Sequence, residues 1–558
     1  MQSVRRSSWL VAGAIGLATF CIAAATLETR EGMGQTFEFG EYADIAREIT
    51  RGNGFTSHVL YPSVLAFGDS TGTRAEPGGT YPVMNRHPGF SLALAPFIAT
   101  FGDSDRAVHF GLAFFFAAWT LLVFLVIDRR LGRIPAFATT MLVALNPVFL
   151  QFLLPGGFAD ILFAALVLVF LDRCASADDP VAAPPWRWFL LGLVGSAAWM
   201  VRFNFSLLLY LGAASLLMPR PDRKRIAAAL ALLLGFWLGC IPFESWHTWT
   251  FGSTQSPPTL WNLLDGFPGY ESPWKQYRVF GMADVIDSGL WWNLLTQKYP
   301  YFLFQAAKGL PTILLYLVPF PFFVAALFRR DRSAANTRFL ALAAFGFLAM
   351  MLVLCLFRFE SFRAPGGHEF GYRYYIWFMP VLIAFAVDEA TRLLAPCSRV
   401  VRALVLMLLA VAQLAFFASY WTPLQQVYTT AGRFQDLPMA AALARLDTDR
   451  TIDKDLPIFT NVPTHVGWYL DRPALLMTTR PEEAEPLWNR HPVSGVLFTR
   501  LDIGEPALYP LWTSLFTDAD ATKAFLARTG MKVAFADDSG LLLVKSRRAD
   551  RSAPTNQD

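Results

Sequence analysis

Residues 40–55 read GEYADIAREITRGNGF, and this stretch follows the first apolar run of the chain. Placed on a helix, it separates an apolar face from a charged one. The apolar face consists of Tyr42, Ile45, Ala46 and Ile49, and the charged face largely of Glu41, Asp44, Arg47 and Glu48. Such a helix is predicted to lie along a bilayer surface, with its carboxylates at the level of the lipid headgroups. An enzyme that acts on a lipid-linked substrate needs carboxylates at that level.

Outside this stretch, the composition is that of an integral membrane protein. Of the 558 residues, 54% are hydrophobic and 16% are charged. The apolar residues form runs of about 20, the length that spans a bilayer. The first run, Trp9 to Leu27, is longer than a signal-peptide core and predicts a retained anchor. The five cysteines lack the spacing of a metal site, and cytoplasmic basic residues explain the net charge of +4, so nucleic-acid binding is not expected.

The apolar runs predict about eleven membrane spans. After the first, they cover residues 107–127, 134–154, 158–172, 187–201, 203–218, 226–243, 301–328, 339–357, 374–390 and 403–420. Arg202 and Asn204 interrupt the pair between 187 and 218, where one long tilted helix is the alternative. With a cytoplasmic N-terminus, the arginine clusters of alternate loops all lie on the inner side. This pattern predicts a multi-pass protein of the inner (plasma) membrane.

The large loops and the tail then face the outside. They are residues 28–106, about 244–300, 358–373 and everything from 421. The residue pattern of the tail predicts strands and helices, with a hairpin turn at 537–540. The strands are 456–461, 493–499, 532–536 and 541–544, and the helices are 437–446 and 518–529. The predicted fold class is an α-helical polytopic membrane domain (1–420) with a small extracytoplasmic α/β domain (421–548) and a disordered end (549–558).

The first outer loop holds residues suited to one particular reaction. Transfer of a sugar from a polyprenyl phosphate needs a carboxylate that accepts the proton of the attacking hydroxyl, cations for the departing phosphate and a groove for the lipid. Glu38 and Glu41 are candidate catalytic carboxylates. Arg86 and His87 precede the short apolar part of YPVMNRHPGFSLALAPF (81–97), where the start of a helix favours a phosphate. The alternatives are solvated charges on an interfacial helix and an interface anchor.

Further polar residues interrupt apolar sequence elsewhere. Asp160, in NPVFLQFLLPGGFADILF (146–163), costs on the order of 3 kcal/mol at membrane depth and is therefore a third catalytic candidate. Arg202 and Arg373 are candidates for the donor phosphate, because a guanidinium fork presents several donors; snorkelling is the alternative for Arg202. The predicted acceptor or sugar contacts are Asp44, Tyr61, Tyr81 and Glu369. No Walker loop, dinucleotide fingerprint, HExxH motif or nucleophile elbow occurs, so activation of the donor by ATP is not expected.

Together these segments resemble the GT-C superfamily of polytopic glycosyltransferases. Within it, the chain looks like the bacterial branch related to protein O-mannosyltransferases and to the aminoarabinose transferase of lipid A, of the glycosyltransferase family 39 type. The resemblance covers residues 9–420. The segments that carry it are the acidic first loop with YADIARE and GNGF (52–55), HPGFSLALAPF, the NP and AD pairs of 146–147 and 159–160, WTFG (249–252) and GGHEFGYRYY.

The resemblance implies inverting transfer of a hexose or pentose from a polyprenyl-phosphate donor to an envelope acceptor, with the base in the first outer loop. Such proteins usually carry an Asp or an Asp-Glu pair there. Alignment on Tyr42 puts Glu38 at the position of the usual acid, whereas relatives with an acid directly before the tyrosine favour Glu41, so both remain candidates. His87 stands where the family usually has a basic residue before proline. Asp160 is expected to orient the acceptor or to help bind a divalent cation, the one cofactor considered.

A transporter or flippase for a lipid-linked glycan is the alternative function, since the same charges would line a pathway. Transporters tend to show repeats and interrupted helices near the membrane midplane. Here the charges collect on one side, beside a large outer domain, and this asymmetry favours the enzyme. If the protein were a scaffold for envelope assembly, the carboxylates at the outer rim of the membrane would have no function. The acceptor, whether protein, lipid or polysaccharide, is not specified by any motif.

Overall fold

The computed structural model of the chain describes most of the sequence. The described residues are 2–28, 37–72, 79–150, 154, 156–157, 159–176, 183–218, 221–252, 260–261, 263–265, 270, 272–293, 295–296, 299–300, 318–357, 375–429, 438–449, 452–499 and 509–545. The end of the chain predicted to be disordered, 549–558, lies outside them, as does the segment around GGHEFGYRYY.

Helices follow one another along the first three quarters of the chain. In order, they are α1 (Gln2–Glu28), α2 (Phe37–Thr50), α3 (Pro62–Thr71), α4 (Pro88–Phe101), α5 (Asp105–Leu131), α6 (Arg133–Ala144), α7 (Asp160–Ser176), α8 (Pro185–Val201), α9 (Phe205–Leu217), α10 (Arg223–Phe251), α11 (Met282–Asp287), α12 (Leu290–Asn293), α13 (Phe320–Leu327), α14 (Ala334–Phe357), α15 (Met379–Leu393) and α16 (Arg399–Thr429). Among the described residues, α1, α5, α10, α14 and α16 are long and apolar enough to cross a membrane. Every predicted span overlaps a described helix, so the prediction of a helical membrane domain is confirmed.

The apolar stretch around Arg202 forms two helices. α8 ends at Val201, Arg202 has an extended backbone, and α9 begins at Phe205. The alternative of one long tilted helix is therefore wrong. The break leaves Arg202 at the end of α8, where its backbone is extended and its side chain points to neighbouring elements.

α8 and α10 are in close backbone contact at two glycines. A Cβ atom on Gly192 would lie 2.7 Å from the backbone nitrogen of Phe236, and one on Gly235 would lie 2.9 Å from the carbonyl carbon of Phe189. Small residues at such crossings let membrane helices approach closely. Since backbone atoms do the crowding, a side chain at either position has to push the two helices apart.

We expect Gly235→Ala to destabilise the protein by about 1–3 kcal/mol, the usual cost of overpacking. The matched control is Gly13→Ala, in helix α1, where a Cβ atom would meet nothing within 4 Å. Gly13→Ala should be neutral or slightly stabilising, because alanine favours a helix by roughly 1 kcal/mol over glycine. Thermal unfolding in detergent compares the two, and equal midpoints would contradict the close α8–α10 contact.

The C-terminal part of the chain contains the α/β layer. Its helices are α17 (Pro438–Thr448), α18 (Pro463–Leu470), α19 (Ala484–Arg490), α20 (Pro510–Thr517) and α21 (Ala519–Thr529). The strands of the chain are β1 (Thr56–Ser57), β2 (Val59–Leu60), β3 (Tyr81–Pro82), β4 (Ile458–Thr460), β5 (Ala474–Leu476), β6 (Gly495–Thr499), β7 (Met531–Asp537) and β8 (Gly540–Lys545). Strands occur at all four predicted places, and residues 537–540 form the predicted hairpin turn.

Within the described residues, the main sheet has the strand order β2-β5-β4-β6-β8-β7. The first four strands are parallel, and β8 pairs antiparallel with both β6 and β7. Strand β2 comes from the first outer loop, and its Val59 and Leu60 pair with Ala474 and Leu475. The outer loop and the tail therefore share one sheet, and α16 continues past residue 420 to Thr429.

Helix α2 is the predicted amphipathic segment, and it is packed on both faces. The ring of Tyr42 meets the ring of Phe90 edge-on at 5.0 Å, and the Ser91 hydroxyl donates to the Tyr42 carbonyl oxygen at 3.1 Å. The charged face is covered as well, with Glu41 1% and Asp44 0% exposed. The alternative of solvated charges on this helix is wrong, because α18 of the C-terminal layer packs against its charged face.

Candidate active site

Charged side chains from four separate parts of the chain form one continuous line. In spatial order they are Glu41, Arg86, Glu38, Arg202 and Asp160. The two glutamates lie one turn apart on α2, Arg86 precedes α4, Arg202 ends α8 and Asp160 begins α7. Opposite charges alternate along the line, so each guanidinium lies between two carboxylates.

Glu41 is held from three sides. Its carboxylate accepts hydrogen bonds from the Tyr61 hydroxyl at 2.9 Å, the Asn85 amide at 3.3 Å and Nε of Arg86 at 2.8 Å. A terminal nitrogen of Arg86 lies 2.7 Å from the same oxygen. Because both oxygens of Glu41 have donors and the residue is buried, Glu41 fixes the position of Arg86.

Asp160 plays the same part for Arg202. Nη2 of Arg202 donates to Oδ2 of Asp160 at 2.7 Å, and Asp160 is fully buried. A buried ion pair persists only with good geometry, since its desolvation is costly. Asp160 therefore anchors the arginine at the break between α8 and α9.

Glu38 lies between the two anchored arginines at longer distances. Its Oε1 is 3.4 Å from Nη1 of Arg86, and its Oε2 is 3.7 Å from Nη2 of Arg202. The Glu38 side chain is 11% exposed and that of Arg86 is 19% exposed, against 1% for Glu41. The Arg202 side chain is 10% exposed, so Glu38, Arg86 and Arg202 form the accessible edge of the line, and Glu41 and Asp160 lie behind it.

The surroundings fix the charge states of two neighbours. Burial by itself disfavours the charged form of Arg86, but the carboxylates of Glu41 and Glu38 outweigh it and raise the pKa of Arg86 well above its ordinary value. Burial, with the charges of Arg202 and His247, lowers the pKa of His87 to about 3. His87 is consequently neutral near pH 7. The positive charge at this place therefore belongs to Arg86, and the predicted contact of His87 with a phosphate stays a prediction.

No protein-family model matches this chain. No curated protein matches it either. Two solved structures resemble it over nearly its whole length. The crystal structure of ArnT from Cupriavidus metallidurans bound to undecaprenyl phosphate matches with a TM-score of 0.52 and 12% identity, covering 97% of this chain and 98% of that one. The apo oligosaccharyltransferase of Archaeoglobus fulgidus matches with a TM-score of 0.55 and 12% identity, covering 98% and 75%.

Both structures are GT-C glycosyltransferases. The chain has the GT-C fold. This confirms, at the level of the fold, the resemblance found in the sequence, and with it a multi-pass membrane protein. The line of charges lies where the segment 28–106 meets the start of α7 and the end of α8.

The remaining predicted site residues differ in their position relative to that line. Tyr61 reaches it, because its hydroxyl donates to Glu41, and burial followed by the Glu41 charge raises its pKa so that it stays protonated. Tyr81 is in strand β3 and packs against the core of the C-terminal layer. Asp44 is fully buried beneath α18, and its predicted contact with an acceptor stays a prediction. Arg373 and Glu369 lie outside the described residues.

Sequence reasoning missed Asn85 and a second polar cluster on α2. Asn85 directly precedes Arg86, and its polar amide side chain was the feature by which the sequence could have indicated it. The second cluster contains Asp44, Arg47 and His58: Asp44 accepts from the Ser57 hydroxyl at 2.6 Å, the His58 backbone NH at 2.7 Å and Nη2 of Arg47 at 2.5 Å, with the His58 ring nitrogen 2.9 Å away. Nothing in the sequence marks these residues as neighbours of the C-terminal layer.

The second cluster contains groups that can ligate a metal ion. Asp44, Glu48 and His58 bring potential ligand atoms within 4.8 Å of one another. The guanidinium of Arg47 lies among them, however, with Nη2 2.5 Å from Asp44 and 3.4 Å from Nδ1 of His58. A cation would have to displace Arg47, so these residues as arranged do not fit a metal.

The same cluster makes stability depend on pH. Burial by itself raises the pKa of Asp44, but the hydrogen bond from His58 and the charges of His58 and Arg47 lower it to about 2, from 3.8. Burial likewise lowers the pKa of His58, but the bond to Asp44 and its charge raise it above 6.5. The Asp44 contribution, on the order of 2 kcal/mol, is present above about pH 4 and lost towards pH 2. The His58 contribution is present below pH 6.5 and lost as the pH rises through its raised pKa.

We therefore expect the thermal unfolding midpoint to be highest between about pH 4 and 6.5 and to fall on the alkaline side. The measurement is a series of melts from pH 4.5 to 9 in detergent. His58→Gln should remove the alkaline decline while lowering the maximum, because glutamine cannot gain the proton. An unchanged alkaline decline in His58→Gln would show that another group is responsible.

Proposed function

We propose that this chain is a membrane glycosyltransferase that moves a sugar from a polyprenyl-phosphate donor to an envelope acceptor at the outer face of the inner membrane. The observation that carries this proposal is the position of Glu38 between Arg86 and Arg202, at the accessible edge of the charged line. A carboxylate for the acceptor hydroxyl and cations for the phosphate are what this reaction needs. The GT-C fold and the undecaprenyl phosphate bound to ArnT support this class of donor.

The geometry divides the acidic residues into two roles. Glu41 and Asp160 each lie 2.7 Å from an arginine and anchor it, whereas Glu38 lies 3.4 Å or more from both. A donor phosphate that enters between Arg86 and Arg202 takes over the NH groups that face Glu38. Glu38 then loses its cationic partners and becomes a better proton acceptor. These distances support Glu38 as the proposed base, with Glu41 and Asp160 as positioning residues.

In the proposed reaction, the acceptor oxygen attacks the anomeric carbon of the donor sugar. The new bond from that oxygen to the carbon forms as the bond from the carbon to the phosphate oxygen breaks on the opposite side, so the anomeric configuration inverts. The hydroxyl proton passes to Glu38. The electron pair of the broken bond stays with the polyprenyl phosphate, whose negative charge is stabilised by Arg86 and Arg202.

The sidedness rests on the two ends of α7. Asp160 opens the helix in the candidate site, and Asp172, near its other end, pairs with Arg129 and Arg130 at the end of α5. Twelve residues separate the two acids, about 18 Å along a helix. Arginine clusters mark the cytoplasmic side. The site and the C-terminal layer then face outward.

The test is transfer of radiolabelled sugar, in membranes that contain the protein, from a panel of polyprenyl-phosphate hexoses and pentoses. Arg202→Gln should lower transfer at least tenfold, because removal of a charge-assisted phosphate contact costs about 1.5–3 kcal/mol. The matched control is Arg187→Gln, at the exposed far end of the same helix, and it should retain wild-type transfer.

Equal transfer by Arg202→Gln and the wild type would remove the phosphate role of Arg202. Wild-type protein that uses no donor of the panel but moves a labelled glycolipid across vesicles would instead establish the transporter. The two results separate an incorrect site from an incorrect function.

A further inference from the structure

The outer segment 282–296 presents a strongly apolar surface. Its exposed large apolar side chains are Met282, Ile286, Trp291, Trp292 and Leu295, each between 66% and 72% exposed. Contiguous apolar surface of this kind marks a site of interaction with a partner or a membrane, whereas isolated exposed apolar residues need no explanation. Two adjacent tryptophans are typical of the level of lipid headgroups.

The opposite face of the segment is anchored in the protein. Val285 and Leu290 are buried in one core cluster with Phe251, the last residue of α10, and with Tyr61. Tyr61 donates to Glu41 of the candidate site. The segment is therefore held at the end of α10 by a core cluster that also contains Tyr61.

The polar groups of the segment are compatible with an apolar environment. Its sequence holds two charged residues, Asp284 and Asp287. Asp284 is turned inward, where it pairs with Arg278 and accepts from the backbone NH of Gly281 at 2.8 Å. Its desolvation is thus already compensated within the protein, and Asp287 is the one charge left on the exposed side.

We propose that the described residues of this segment, 282–293 and 295–296, insert into the outer leaflet and form a lipid-facing wall beside the candidate site. The occupant of the surface is lipid acyl chain, because the segment is anchored at the end of α10, a helix with an exposed apolar side. That side is lined by exposed apolar residues along its length, and it ends in Trp249, which is 86% exposed. If the proposed function holds, this wall also receives the polyprenyl chain of the donor.

The first test needs no enzyme activity. Spin labels at Ile286→Cys and Trp292→Cys, in a background without the five native cysteines, are compared with a label at Lys523→Cys, an exposed position on α21. The protein is reconstituted in vesicles of phosphatidylethanolamine and phosphatidylglycerol. Labels at 286 and 292 should collide more with oxygen than with a water-soluble nickel chelate, and the label at 523 should do the reverse. Nickel accessibility at 292 equal to that at 523 would overturn the proposal.

Two other outcomes also decide it. Dipolar broadening between labels at position 292, lost on dilution with unlabelled protein, would assign the surface to a second copy of the chain and overturn lipid insertion. Loss of both collision signals without broadening would assign it to protein contact and overturn it as well. A cysteine-free background that fails to fold is detected by its elution profile. In that case, a protein with Trp292→Cys, Cys21→Ser and Cys397→Ser gives the same readout. Cys21 and Cys397 are the exposed free cysteines among the described residues.

The second test rests on the proposed function. Trp291→Ser with Trp292→Ser should raise KM for a full-length polyprenyl donor about tenfold, which corresponds to ~1.4 kcal/mol, and leave kcat and the use of a short, water-soluble donor unchanged. The control is Trp186→Ser, an exposed tryptophan at the far end of α8 from Arg202. Equal KM values for the two variants would overturn the role in donor approach. Absence of transfer by every protein, with membrane-like collision at 286 and 292, would refute the function and leave insertion intact.

Discussion

Glu38→Gln is expected to lower the rate of sugar transfer about 10²- to 10⁴-fold, the range that a general base contributes. Glutamine has nearly the shape of glutamate but cannot accept the hydroxyl proton. Arg86 and Arg202 keep their anchors at 2.7 Å, Glu41 and Asp160, so donor binding should be retained. The measurement is single-turnover transfer at saturating donor, together with the donor Kd of the purified protein.

Glu41→Gln is the matched comparison, since the same chemical change is made one helical turn away. It removes the closest carboxylate of Arg86, whose guanidinium then moves more freely. We expect a higher donor Kd and lower stability, with turnover at saturating donor less affected than in Glu38→Gln. The reverse pattern, full turnover in Glu38→Gln and a large loss in Glu41→Gln at unchanged donor Kd, would move the base to Glu41.

The sequence was sufficient to predict most of the membrane domain and the members of the charged line. Apolar runs of span length leave few structural options, because every backbone polar group has to be satisfied inside the lipid. For the same reason, a charge within such a run needs a partner, and this singled out Asp160 and Arg202. Only the structure shows that Asp160 and Arg202 form a pair at 2.7 Å, since the sequence does not show which residues are neighbours in space.

The relation between the first outer loop and the tail was not predictable. Strand β2 has two residues, too few for an alternating pattern, and its partner β5 lies more than 400 residues away. Helix α2 was expected to place its charges at the level of the lipid headgroups, because helical periodicity reports which residues share a face and not what covers it. A polar face that is buried against another polar surface has the same periodicity as one that is solvated.

Arg47→Met is expected to lower the free energy of unfolding by about 3–5 kcal/mol, the usual cost of leaving a buried charge without its partner. Arg47 is buried and lies 2.5 Å from Asp44, and it donates to the backbone carbonyls of Gly467 at 2.8 Å and Trp468 at 2.9 Å. Methionine keeps the apolar stem and removes all of these bonds. Chemical unfolding in mixed micelles gives the free energy.

Arg51→Met is the control, because Arg51 lies one turn further along the same helix region and pairs with Asp471 and Asp103 while 36% exposed. Exposed ion pairs contribute about 0–1 kcal/mol, so this variant should be nearly as stable as the wild type. If the two variants lose the same stability, the buried contact does not hold α2 to α18. The expected result is that Arg47→Met alone is destabilised and that its hydrogen exchange rises in both 37–50 and 463–470. The C-terminal layer then holds in place the helix that carries Glu38 and Glu41, and in this sense it is part of the active site.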